Sequence, residues 1–153
     1  MGASSIQQLL ERTADRHSSY GGGSAAALSC ALSAALVEKV AGRKPASGIA
    51  KRLRLHCTKL IEADAKVFGS FIRAQKREDR AAMRRALKSA TDIPSQVEEC
   101  SKQVLEVARR IRTHVSPRYR VDLRCAERLA KAAQQSARAL VAANRAWSKQ
   151  FAR

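Results

Sequence analysis

Between Ser18 and Val37 the chain runs for twenty residues without a charge and almost without bulk: SSYGGGSAAALSCALSAALV. Alanine is the strongest helix former, and Leu28, Leu32, Leu36 and Val40 recur every fourth residue, so residues 24 to 41 are predicted as a helix. With Ala or Ser at most other positions, such a helix can be approached closely from several sides. It is expected at the buried centre of the fold. Gly, Ser and Ala are less hydrophobic than the Leu and Ile runs of a membrane span, and an amphipathic helix precedes the stretch. The reading is therefore a soluble, cytoplasmic protein without membrane contact.

The flanking segments all carry helical spacing. Ser4 or Ser5 can cap a first helix with Ile6, Leu9, Leu10 and Thr13 on one face. After the breaker GRKPASG, residues 47 to 75 bring Leu53, Leu60, Ile61, Val67, Phe68, Phe71 and Ile72 to a helix face. A fourth helix carries Met83 and Leu87 and continues through Val97, Val104, Leu105, Val107 and Ile111; Pro94 either breaks it or kinks it. The turn SPRYR punctuates again at residue 116. The last helix, 121 to 148, has the stripe Cys125, Leu129, Ala132, Ser136, Leu140, Ala143 and Trp147. No segment alternates with period two, so no sheet is expected. The 153 residues form one all-α domain, an up-and-down bundle of about five helices.

Thirty Lys and Arg stand against thirteen Asp and Glu, a net charge of +17. From Arg109 onward twelve cations face only Asp122 and Glu127, a net of +10. Such a surface attracts polyanions, nucleic acid among them, or is simply a solvated arginine face. Cys30, Cys57, Cys100 and Cys125 are spaced for neither zinc nor CxxC chemistry and read as small buried hydrophobes; no metal is expected.

A glycine-rich turn that opens a helix is an anion site in principle, because free N–H groups and the positive dipole end face the turn. The P-loop ending is missing, since alanine follows Ser24, and no strand precedes it as a dinucleotide fingerprint needs. Ser24 is the expected N-cap. The longer string GGGSAAALSCALSAALVEKVA resembles the signature of the cyclodeaminase/cyclohydrolase family, which includes the cyclodeaminase domain of formiminotransferase-cyclodeaminase and methenyltetrahydrofolate cyclohydrolases. LIEADAKVF, Ile93-Pro94-Ser95, Val121-Asp122-Leu123 and Asn144 continue the resemblance in register.

The resemblance implies an all-helical homodimer that binds reduced folates near its subunit interface. Its reactions are loss of ammonia from formimino-tetrahydrofolate, or addition of water to the methenyl bridge. Both need a proton-moving group and a stabiliser of a cationic amidinium, roles that suit carboxylates. On this resemblance Asp64 and Asp122 are the catalytic candidates. Gly21, Gly22, Gly23, Ser24, Arg118, Arg120 and Asn144 are the substrate-binding ones, with a tetrahydrofolate derivative as substrate. Asp64 lies beside an apolar stripe, where burial would raise its pKa; otherwise it is a surface acid paired with Arg54, Lys59 or Lys66. Asp122 also suits a helix N-terminus. Two departures from the family pattern stand out: Lys39 where an apolar residue is usual, and Arg118-Tyr119-Arg120 before Asp122.

Overall fold

The computed structural model describes residues 5–43 and 45–150. Five helices follow one another: α1 (Ile6–Ala14), α2 (Gly22–Ala41), α3 (Pro45–Lys76), α4 (Arg80–Ile111) and α5 (Arg120–Gln150). Two single 3-10 turns, Arg112–His114 and Pro117–Tyr119, join α4 to α5. No strand occurs among the described residues. The all-helical bundle is the one the periodicity predicts, and α2 packs against α3, α4 and α5 together.

The small side chains of α2 explain its place. Ala27, Ala34 and Val37 are sealed from solvent, and so are Ala126, Ala130 and Ala137 of α5. Where two such faces meet, the backbones come close enough for a serine to reach the neighbouring helix. Ser33 Oγ donates to the Ala126 carbonyl at 2.6 Å and Ser29 Oγ to the Leu129 carbonyl at 3.0 Å. α2 also has the length and hydropathy of a membrane span, yet half of that stretch is buried inside the bundle.

Several details differ from the sequence reading. α2 begins two residues early, so Gly22 and Gly23 form its first turn and Gly21, not Ser24, is the N-cap. The buried stripe of α5 is Leu123, Ala126, Ala130, Ala133, Ala137 and Val141. Cys125, Ala132, Ser136, Ala143 and Trp147 of the expected stripe are exposed. Alanine is spaced helically on several faces of α5, and the thin partner α2 selects the face that lets it approach. Cys30, Cys57 and Cys100 are buried as expected, whereas Cys125 is not. Hydrogen bonds to the Cys100 and Cys30 thiols, with burial, push the Cys57 thiol up, so it stays protonated.

α4 runs unbroken from Arg80 to Ile111 with Pro94 inside it. An interior proline costs a helix about 3 kcal/mol. Here its ring is fully buried. At the other end of the chain order, α1 is opened by a capping box: Ser5 Oγ accepts from the Gln8 N–H and Gln8 Oε1 from the Ser5 N–H. Ser4 lies outside the described residues. α1 buries none of its residues, and Ile6 is 73% exposed.

Candidate active site

Asp64, Phe68 and Phe71 lie at i, i+4 and i+7 on α3, one face of the helix. Leu140, Ala143, Asn144 and Trp147 do the same on α5. These two faces and the N-terminus of α2 enclose a pocket of about 470 Å³. Gly21, Gly22, Gly23 and Asp64 are part of its lining. Phe71 stacks between Phe68 and Trp147, with ring centroids 6.5 and 5.8 Å apart. Phe68 and Trp147 remain partly exposed, so aromatic surface is left for a flat ligand.

The connection from α1 to α2 supplies the rim, with Asp15, Arg16, Ser18, Ser19 and Tyr20. Tyr20 ties this rim to α3: its hydroxyl donates to Glu62 Oε2 at 2.8 Å. Arg12 donates to the same hydroxyl at 3.2 Å and lies over the Tyr20 ring.

Asp64 brings a carboxylate into this pocket, and Gly23 is the reason it fits. A Cβ on Gly23 would collide with the Asp64 carboxylate. The close approach lets Asp64 serve the first turn of α2, whose N-cap glycine has no side chain to do so. Its carboxylate accepts from the Ser24 N–H, and Ser24 Oγ lies 3.0 Å from Oδ2. Burial raises the Asp64 pKa, outweighing the hydrogen bonds from Ser24 that pull it down. Arg54, one of the cations weighed as its partner, instead pairs with Glu38 at 2.7 Å.

Ser24 can serve the neutral acid as well as the carboxylate. Its hydroxyl has one proton and two acceptors, Asp64 Oδ2 and the Ile61 carbonyl at 3.1 Å. When Asp64 is protonated, it can donate to Ser24 Oγ while Ser24 donates to Ile61, and every group is satisfied.

The structure thus brings Gly21, Gly22, Gly23, Ser24, Asp64 and Asn144 together. Asp122, Arg118 and Arg120 are placed elsewhere in the chain. Asp122 Oδ2 pairs at 2.7 Å with Lys39, at the far end of α2 and roughly 22 Å along the axis from Ser24. Lys39 also lies over the Tyr119 ring, on which Arg118 stacks at 4.5 Å. Lys39 and the Arg118-Tyr119-Arg120 turn, separate in sequence, are therefore one cluster around Asp122.

Sequence reasoning took Phe68 and Trp147 for the apolar faces of their helices and passed over Arg16; Phe71 is buried as read and lines the pocket as well. A detectable signal was Asn144 and Trp147 standing close together in the last turns of an alanine-rich helix.

The family described as formiminotransferase-cyclodeaminase matches residues 5–150. The chain belongs to that family. Among solved structures, the formiminotetrahydrofolate cyclodeaminase from Thermotoga maritima aligns with a TM-score of 0.85. The alignment covers 97% of this chain and 82% of that one at 21% identity, a likeness of fold. No curated protein matches the chain significantly in sequence. In this member of the family, the glycine block therefore lies at the pocket and the Lys39 and Tyr119 departures lie away from it.

Proposed function

We propose that this chain is a folate-dependent one-carbon enzyme, a methenyltetrahydrofolate cyclohydrolase or a formiminotetrahydrofolate cyclodeaminase, working at the Asp64 pocket. The observation that carries the reading is a half-buried carboxylate of raised pKa in the lining of an aromatic-walled pocket, in a chain of this family. The exposed Phe68 and Trp147 rings suit the flat pterin. Arg16 on the rim suits the carboxylates of the benzoyl-glutamate end.

In the hydrolytic reaction, ionised Asp64 takes a proton from the attacking water as its oxygen bonds to the methenyl carbon. The protonated acid then returns the proton to the departing ring nitrogen as the carbon–nitrogen bond breaks, and the carbinol hydroxyl releases its own proton to water as the formyl C=O forms. In the ammonia-releasing reaction, the neighbouring folate nitrogen bonds to the formimino carbon and gives its proton to ionised Asp64, which passes it to the departing amine as that carbon–nitrogen bond breaks. A carboxyl whose pKa is raised by burial serves either course, and the charged form also steadies a cationic amidinium.

The protein is expected to act as a cytoplasmic homodimer. Leu10 and Leu32 are 58% and 48% exposed, and with Leu9, Leu28 and Leu129 they form an apolar groove between α1, α2 and α5. A helix with no buried residue gains most from a second copy laid over it, and this one leads into the pocket rim. Light scattering is expected to give a dimer at micromolar concentration, and Leu32→Glu a monomer. A monomeric parent protein would remove the dimer from this reading.

Binding of 5-formyl-tetrahydrofolate and turnover of methenyl and formimino folates at physiological salt test the function. Trp147, the chain's single tryptophan, lies in the pocket and reports binding by its fluorescence. A second reading has its own support in a surface groove lined by Arg112, Arg120 and Arg124. Nucleic-acid binding there that weakens by orders of magnitude from about 50 to 200 mM salt, with no folate binding, would decide for a polyanion-binding bundle.

A further inference from the structure

Pro94 and Asn144 are fifty residues apart in sequence, and the structure joins them through a third residue. Proline has no N–H, so the carbonyl four residues before it, Ala90, lacks the donor that every regular helix position supplies. Asn144 of α5 fills that place, its Nδ2 donating to the Ala90 carbonyl at 2.6 Å. A carbonyl can only accept, so the amide nitrogen must face it and the amide oxygen must face away. Among the described residues that oxygen accepts no hydrogen bond, and it is not a buried atom without a partner. Both Ala90 and Asn144 line the Asp64 pocket.

We propose that Pro94 is a positioning residue: by freeing the Ala90 carbonyl it anchors the Asn144 amide and presents Asn144 Oδ1 to the pocket as a fixed acceptor. The ligand chemistry this selects is a heterocyclic N–H donor, such as the amino-pyrimidinone edge of a reduced pterin. That part rests on the folate reading of the pocket; the anchor itself does not. The proline is then retained in mid-helix for the site, because alanine at 94 would supply an N–H that competes for the same carbonyl. Two torsions of the Asn144 side chain are held before any ligand arrives, which lowers the ordering cost of binding.

A double-mutant cycle on the full chain tests the anchor without a ligand. Asn144→Ala leaves the Ala90 carbonyl unpaired and is expected to lower Tm by about 2–4 °C with Pro94 present. In the Pro94→Ala background the same change should cost almost nothing, because the backbone N–H at 94 has taken over. Additive Tm losses overturn the anchor. Calorimetric titration with 5-formyl-tetrahydrofolate tests the second half: each single variant is expected to bind about tenfold more weakly, near 1.4 kcal/mol, and the double variant no more weakly than either. Pro94→Ala with parental affinity overturns the positioning role. An intact Tm cycle with no folate binding by the parent overturns the ligand and the function it rests on, and leaves the anchor standing.

Discussion

Asp64→Asn is expected to lose about 100- to 10,000-fold in turnover of the methenyl or formimino folate while folding at least as tightly as the parent. An amide at 64 reproduces the hydrogen-bond pattern of the protonated acid. Its oxygen can accept from the Ser24 N–H, its NH2 can donate to Ser24 Oγ, and Ser24 can go on donating to the Ile61 carbonyl. What the amide cannot do is take or give the proton. The pH dependence has a definite sign. Burial raises the carboxyl pKa in the folded state above its unfolded value. The stability this contributes is fully present below the unfolded value of about 3.9 and is lost as pH rises through the folded one. At neutral pH the ionised carboxylate is therefore a net cost that asparagine removes. Melting curves from pH 4 to 8 should show the variant gaining on the parent as pH rises. Parental turnover in the asparagine variant would remove Asp64 from the chemistry, and a stability gap independent of pH would remove the buried-acid argument.

The sequence carried the fold further than the site because helical period is a local property and the site is a set of meetings. Leu28, Leu32, Leu36 and Val40 on α2 and the phenylalanines of α3 announce their helices unaided. The register of α5 does not follow the same way, since Ala126, Ala130 and Ala133 compete with Leu129, Leu140 and Trp147 for the inward face. Only the thinness of α2, a fact about another segment, settles which face turns in. Asp64 was legible as a carboxylate beside an apolar stripe. Its partner was not, because Arg54, Lys59 and Lys66 lie near it in sequence and Ser24 lies forty residues away. Asp122 looked equivalent to Asp64 by residue type, yet Lys39 meets it at the opposite end of α2. Pro94 read as a break or a kink because a one-dimensional view counts the lost donor and cannot see Asn144 arriving from α5.

The three glycines, which together look like one flexible turn, are expected to respond to substitution as different residues. Gly22 and Gly23 both stand in the first turn of α2 with helical backbone, and Gly42 is the glycine of positive φ among the described residues. Alanine at either position gains up to about 1 kcal/mol of helix propensity over glycine. At Gly22 nothing opposes that gain, since the new methyl would lie 3.5 Å from Leu140 Cδ2, an ordinary contact. Gly22→Ala should be as stable as the parent or slightly more so. At Gly23 the methyl would occupy the space of the Asp64 carboxylate. That carboxylate is held by Ser24 and packed on a buried stretch of α3, so it must leave its hydrogen bonds or push the helices apart. Overpacking of this kind costs about 1–3 kcal/mol, more than the propensity gain. Because the displaced group is the proposed acid, turnover should fall with Gly23→Ala about as far as with Asp64→Asn. Removing the carboxylate altogether separates the two effects: Gly23→Ala in an Asp64→Ala background should cost little further stability, a coupling that urea denaturation of the four proteins measures. Equal stability and turnover for the Gly22 and Gly23 alanine variants would mean that the glycines serve the backbone alone, and that Asp64 is not held against α2 in solution.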